Sequence, residues 1–167
     1  DFKRPNKLSK DQMRTILVLH ENLARLFSTS LSTYLRSMVR VEVVSVDQLP
    51  YEEFIRSLHN PTVMIMVGLS PLPGIAIMEF SPSIAFAIVE RLLGGQGQGV
   101  DKVRELTDIE QTVIKRVVYK IFTNIKEAWS VVKEINPSFE LCPNHTAHGH
   151  DGTGYYGSEP GKGERNH

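Results

Sequence analysis

Hydrophobic residues near the N-terminus recur at spacings of three and four, which is the period of an α-helix with one apolar face. They are Met13, Ile16, Leu17, Leu23, Ala24, Phe27, Leu31, Tyr34 and Leu35, with His20 on the same stripe. Ser9 is a favourable N-cap, and Gln12 three residues later completes a capping box. The pattern predicts a helix over about residues 10–37.

Shorter patterns follow this helix. Residues 39–43 alternate between valine and a charged residue, which predicts a half-exposed strand. Pro50 opens a short helix that ends before Pro61. Residues 62–69 and 74–80 are nearly all apolar, and such strands are usually buried on both faces of a sheet. We therefore expect helices on both sides of the sheet.

Two further helices are predicted in the second half of the chain. Pro82 stands at the first helical position of a very apolar helix that runs to Gly94. Thr107 and Glu110 form a second capping box, which opens a helix to about Val132. Because the two long helices begin alike, we expect two copies of one unit, with the second copy incomplete after its helix.

Four glycines lie within residues 94–99, directly after the apolar helix. A phosphate-binding loop precedes a helix, whereas these glycines follow a helix C-terminus, where the dipole is negative. Val100 also stands where a dinucleotide-binding motif needs its third glycine. Two interpretations stay open: a surface that another protein approaches closely, or a helix C-cap with a flexible linker.

The composition of the chain narrows the range of possible functions. The chain has 167 residues, with 19 basic and 19 acidic side chains, so it lacks the positive charge that nucleic-acid binding requires. One cysteine, Cys142, fits a reducing compartment. No apolar signal segment occurs near the start, and prolines and glycines interrupt the uncharged stretch 57–78. We expect a soluble cytoplasmic protein.

Residues 142–167 differ from the rest, because they contain no Val, Ile, Leu, Met, Phe or Trp. One interpretation is a disordered Gly/His-rich tail over residues 141–167. The possible metal ligands there are Cys142, His145, His148 and His150. Their spacing matches no closed zinc module, so no metal site is predicted. Another interpretation is translation out of frame, which the coding DNA would test.

Several collinear motifs resemble the middle domain of the bacterial flagellar motor switch protein family FliM. They are residues 1–5, 20–26, 45–54, 91–95 and 104–110. The resemblance covers about residues 1–140. It implies an α/β protein with a three-layer α/β/α fold and internal pseudo-twofold symmetry, shared with the chemotaxis phosphatases CheC and CheX. The second half of that fold is incomplete in this chain.

The resemblance implies a structural component of the flagellar motor switch. Such a protein joins the ring at the cytoplasmic face of the inner membrane, in the flagellar basal body. It binds the rotor protein FliG and neighbouring FliM subunits, and it takes part in chemotaxis-controlled switching of rotation. The segments that bind phospho-CheY and FliN are expected to be absent here. No cofactor, metal or nucleic acid is implied.

The implied FliG-binding residues are in the glycine loop. They are Gly94, Gly95, Gln96 and Gly97. Glu90 and Arg91 flank the loop, and they either pair across the FliG interface or remain solvated.

The alternative function is a CheC-like phosphatase of a phosphorylated response regulator. That chemistry needs Glu-x-x-Asn on one helix, so that a carboxylate and an amide orient the attacking water. Glu21 is followed at this spacing by Ala24, and Asn124 is preceded by Ile121. The sequence therefore predicts a protein without enzymatic activity.

Other polar residues have ordinary interpretations. His20 is expected to be a hydrogen-bonded core histidine. The serines at 28, 30 and 32 are expected to be ordinary helix residues, since no His/Asp pair accompanies them. Trp129 is expected to pack near the end of the last helix.

Overall fold

Four helices and four strands make up the part of the chain that the computed structural model describes, which is residues 7–58, 62–99 and 104–140 and the backbone of residues 153–156. In chain order they are α1 (Lys10–Leu35), α2 (Tyr51–Ser57), β1 (Thr62–Ser70), β2 (Ile75–Phe80), α3 (Pro82–Leu92), α4 (Asp108–Trp129), β3 (Asn136–Phe139) and β4 (Thr153–Tyr156).

The sheet is antiparallel and centred on β1. β2 pairs with one edge of β1, and β3 and β4 share the opposite edge. β3 lies beside residues 67–70 of β1, and β4 lies beside residues 62–65. The expectation of a tail without secondary structure thus differs from the structure at β4. Backbone hydrogen bonds can hold a strand to a sheet edge even where the sequence contains no Val, Ile or Leu.

The core lies where β1 meets the helices. α1 packs along α4, and α3 contacts both α4 and β1. Val63, Ile65 and Val67 alternate along β1 and are buried in this core. The other face of β1 is only partly buried, since Thr62 and Gly68 are buried on it but Met64 and Met66 between them are half-buried. The prediction is wrong for β2, whose residues are half-buried or exposed because β2 is an edge strand.

Both predicted capping boxes are confirmed. Ser9 N–H donates to Gln12 Oε1 at 2.8 Å, and Gln12 N–H donates to Ser9 Oγ at 3.2 Å. Thr107 and Glu110 bond in the same reciprocal way. Both helices end slightly before their predicted boundaries, because hydrophobic periodicity does not locate a helix end to the residue.

The strand predicted over residues 39–43 is wrong, since this segment joins no sheet. It runs back along α1, where serine hydroxyls bond its backbone. Ser32 Oγ accepts from Val39 N–H at 2.9 Å and donates to Val39 C=O at 3.1 Å. Ser28 Oγ accepts from Val41 N–H at 2.8 Å, while its own proton goes to Ala24 C=O at 2.9 Å, which is closer than Val41 C=O at 3.4 Å. Two serines expected to be ordinary helix residues therefore replace a partner strand.

The start of α4 carries an ion pair with two parallel hydrogen bonds. Arg104 donates to both carboxylate oxygens of Glu110 at 2.7 Å. The pKa of Glu110 is lowered from 4.5 to about 2, mainly by this ion pair and also by the hydrogen bonds with Thr107. Partial burial of the carboxyl group opposes this shift. The Glu110 side chain is 14% exposed and that of Arg104 is 47% exposed.

We predict that Glu110→Gln destabilises the chain in a pH-dependent way. Because the pKa of Glu110 is lower in the folded chain than in the unfolded chain, its ionised carboxylate stabilises the fold at pH values above the unfolded-state pKa. That stabilisation is lost as the pH falls from about 5 towards 2. Solvent screening reduces the contribution to about 1–2 kcal/mol at pH 7. Urea denaturation at several pH values should show a smaller acid loss of stability in the variant. Parallel pH curves for the two proteins would contradict the prediction.

Candidate functional site

The glycine loop begins as the C-cap of α3. Gly95 N–H donates to Glu90 C=O at 2.8 Å, and Gly94 N–H donates to Arg91 C=O at 3.3 Å. Gly94 has φ +98°, in the left-handed region that glycine adopts without steric cost. These two bonds and this conformation define a Schellman motif. The C-cap interpretation of the sequence is therefore confirmed.

The rest of the loop folds back along α3 and is held there. Gly97 and Gly99 have φ of +77° and +81°, and a Cβ on either would lie 3.5 Å from a carbonyl oxygen of α3. Gly99 N–H donates to Glu90 Oε2 at 2.7 Å. The loop is thus a shaped backbone surface with specific contacts, which a flexible linker would not have.

Arg91 joins this loop to the end of α1. Its Nε donates to Leu35 C=O at 3.1 Å, and its Nη2 donates to Arg36 C=O at 2.7 Å. Its Nη1 reaches Gly95 C=O at 3.4 Å. The polar groups of Glu90 and Arg91 are therefore engaged within the chain. A contact of either residue with a partner protein stays a prediction.

The outer side of the loop is uncharged and open. Gln96 is exposed, and Leu93 next to the loop is 63% exposed. A Cβ at Gly94 would meet nothing within 4 Å, so the solvent side of this backbone is accessible. A Cβ at Gly95 would lie 2.5 Å from Glu90 Cγ, so a side chain there would displace Glu90.

Comparison with known proteins identifies the family. A sequence profile described as flagellar motor switch protein FliM matches residues 9–146. The chain belongs to the FliM family. It is 55% identical over 140 residues to FliM of Borreliella burgdorferi, covering 83% of this chain and 40% of that protein. FliM of Salmonella typhimurium is 35% identical over 133 residues, covering 78% of this chain and 39% of that protein. The chain spans about two fifths of the length of these FliM proteins.

Solved FliM structures share the fold. A FliG–FliM complex from H. pylori matches with a TM-score of 0.77 at 37% identity, covering 80% of this chain and 74% of that chain. The FliM middle domain from H. pylori matches with a TM-score of 0.72 at 35% identity, covering 80% and 72%. Thermotoga maritima FliY, at 18% identity and a TM-score of 0.71, shows the fold alone. The predicted mixed α/β fold of the FliM middle domain is confirmed.

The other polar residues singled out in the sequence have structural roles where the structure describes them. His20 is half-buried, and its Nδ1 lies 2.8 Å from Ile16 C=O. Trp129 packs against the core. The possible metal ligands at residues 142–150 lie outside the described residues. The part of the chain that the structure describes holds no cluster of metal-binding side chains. The helices described are all too short or too polar to cross a membrane.

Asn124 bears on the phosphatase alternative. It is 7% exposed, it lines a groove between α1 and α4, and its Oδ1 has no hydrogen-bond partner among the described residues. Ile121 occupies the position where the required carboxylate would stand, and this residue is buried in the core. α4 therefore lacks the Glu-x-x-Asn motif, although Glu127, three residues after Asn124, also lines the groove.

We predict that Glu90→Ala loosens the far end of the loop. The variant loses the acceptor for Gly99 N–H, and a hydrogen bond to a charged group is worth about 1.5–3 kcal/mol. Hydrogen exchange measured by NMR should accelerate at Gly99 by at least about tenfold.

Glu90→Gln retains a neutral acceptor at the same distance, so it is the matched control and should give an intermediate exchange rate. Unchanged protection of Gly99 in Glu90→Ala would contradict the prediction.

Proposed function

We propose that this chain is a structural, non-catalytic component of the flagellar motor switch and binds the rotor protein FliG. Membership of the FliM family and the likeness to a FliM that was crystallised with FliG support this function. The observation that carries the proposal is the glycine loop, because its backbone is fixed in shape while its outer side is uncharged and open, with the side chain of Gln96 exposed on it.

The proposed contact surface is the glycine loop from Gly94 to Gly97, with Gln96 as its exposed side chain. Because glycine has no side chain, a partner that approaches closely can reach the backbone N–H and C=O groups of the loop. Gln96 adds a side-chain amide that can both donate and accept hydrogen bonds. Glu90 and Arg91 position this surface through their bonds to the loop. A charged pair across the interface would require these two side chains to leave their present partners.

The proposed setting is the switch ring at the cytoplasmic face of the inner membrane, in the flagellar basal body. There the chain would contact the FliG middle domain and neighbouring FliM subunits, and it would take part in chemotaxis-controlled switching of rotation. The relatives that support this setting are themselves flagellar motor switch proteins.

Gly94→Ala should weaken FliG binding by about tenfold or more, because it adds a methyl group on the open side of the loop and strains the αL backbone by about 1–2 kcal/mol. Calorimetric titration into the FliG middle domain measures the affinity. Gly74 is the matched control, since it has φ +94° and also nothing within 4 Å of a built Cβ, but it lies in the β1–β2 turn. Gly74→Ala should cost similar stability and leave the affinity unchanged. Equal affinities of the two variants would overturn the proposed site.

A second pair of variants avoids backbone strain. Gln96→Arg changes the exposed side chain in the proposed surface, whereas Gln98→Arg makes the same change two residues further along the loop. Adding a long cation at the contact should reduce FliG affinity at least about fivefold for Gln96→Arg. The Gln98→Arg protein should bind like the parent. The opposite order of affinities would place the contact elsewhere in the loop.

A further inference from the structure

The groove between α1 and α4 has polar walls. It has a volume of about 390 Å³, and of the eight residues that line it only Leu26 has no polar group in its side chain. Helices in a protein normally pack against each other through apolar faces. Along this groove the two long helices instead turn polar side chains towards each other, and that arrangement can receive a polar ligand.

Asn124 is the buried member of the groove. Only 7% of the residue is exposed, and its Oδ1 is fully buried. Neither Oδ1 nor Nδ2 has a hydrogen-bond partner among the residues that the structure describes. A buried amide without partners costs stability, and an apolar side chain of similar shape would avoid that cost. The amide is therefore suited to a group that enters the groove from outside.

Opposite charges lie on the two sides of Asn124 along α4. Lys120 is about 6 Å before it and Glu127 is about 4.5 Å after it, measured along the helix axis. Lys120 Nζ lies 5.6 Å from the centre of the Tyr34 ring, whereas the carboxylate of Glu127 has no hydrogen bond or ion pair within the described ranges. Both charged side chains are exposed. The groove thus has a positive end, a negative end and an amide between them.

The hydroxyl groups of α1 line the opposite wall. Thr29 Oγ1 donates to Arg25 C=O at 3.2 Å, and Thr33 Oγ1 donates to Thr29 C=O at 3.0 Å. Because a hydroxyl group has one proton, these two oxygens can only accept a hydrogen bond from a ligand. The Ser30 hydroxyl makes no hydrogen bond to the described part of the chain, so it can both donate and accept. The wall therefore adds acceptors for an ammonium group and a donor for a carboxylate.

We propose that this groove binds a small zwitterion of the amino-acid class. The carboxylate of the ligand lies at Lys120, and its ammonium group lies at Glu127. The amide of Asn124 serves both groups, because Nδ2 donates to a carboxylate and Oδ1 accepts from an ammonium group. The terminal torsion of asparagine is broad, so rotation about it turns either atom towards the ligand.

The two charges of the groove select a zwitterion over a simple ion. A lone carboxylate is attracted by Lys120 and repelled by Glu127, and a lone ammonium group meets the same two charges with the signs reversed. Repulsion of the wrong ligand is one of the ways in which a site becomes specific. The groove shares no residue with the glycine loop, so the proposal does not depend on FliG binding.

The probe is γ-aminobutyrate, because it carries both charges on a short unbranched chain. NMR titration of the full chain should show saturable shifts of the side-chain amide signals of Asn124, with a dissociation constant of about 0.1–10 mM. Butyrate and butylamine each keep one of the two charges, and each should bind at least about fivefold more weakly. Equal binding of either single-charge compound, or no saturation up to about 100 mM γ-aminobutyrate, would overturn the proposal.

Glu127→Gln tests the negative end of the groove. Loss of this carboxylate should weaken γ-aminobutyrate binding by about fivefold or more and should strengthen butyrate binding, because the repulsion of butyrate is removed. Damage to the groove would weaken both ligands, and that result, or unchanged binding of both, would refute the site. Glu134→Gln is the matched control, since it makes the same change on an exposed residue outside the groove. This control should bind both ligands like the parent.

Asn124→Leu tests the buried amide. The unliganded variant should unfold at a higher urea concentration than the parent, because the amide without partners has been removed. Addition of γ-aminobutyrate should raise the urea midpoint of the parent by more than that of the variant, since a ligand stabilises only the folded chain that binds it. Equal increases in the two midpoints would show that Asn124 does not contact the ligand, against the proposal.

Discussion

All the other strands in the described part of the chain hydrogen-bond to β1, so the position of this single strand determines the sheet. Its inward residues Val63, Ile65 and Val67 fix that position by packing into the core with α3 and α4. A slip of one residue would turn these side chains to the opposite face and bring Met64 and Met66 into the core instead. The register of the sheet is thus set by which β1 side chains the helices bury.

The packing of the helices determines where the glycine loop lies. α1 packs along α4, α3 contacts both, and the C-terminus of α3 leads directly into the glycine loop. The loop conformation then depends on polar contacts, which are the Schellman bonds, the Glu90 bond to Gly99 and the bonds of Arg91. Apolar packing therefore places the candidate site, and hydrogen bonds give it its shape.

The elements that could be predicted from the sequence are those encoded locally. The capping boxes at Ser9 and Thr107 and the hydrophobic periodicity after them located both long helices. The segment after α1 was not predictable in this way, because alternating valines have the same pattern whether a strand or a row of serine hydroxyls bonds their backbone. β4 pairs with β1 through a backbone ladder, which the composition of the tail does not encode. The glycine run predicted a site of close approach, but the roles of Glu90 and Arg91 within the fold depend on tertiary contacts that no spacing encodes.

The guanidinium of Arg91 has a mechanical consequence. It is bonded at once to the last carbonyls of α1 and to a carbonyl of the glycine loop. α1 has 26 residues, so it is a rigid rod of about 39 Å. A mechanical load applied to the loop is therefore transmitted along the axis of α1, as well as through the covalent chain that follows α3. The rod lies against α4, so that load is shared between the two long helices and is not concentrated at the six residues of the glycine loop.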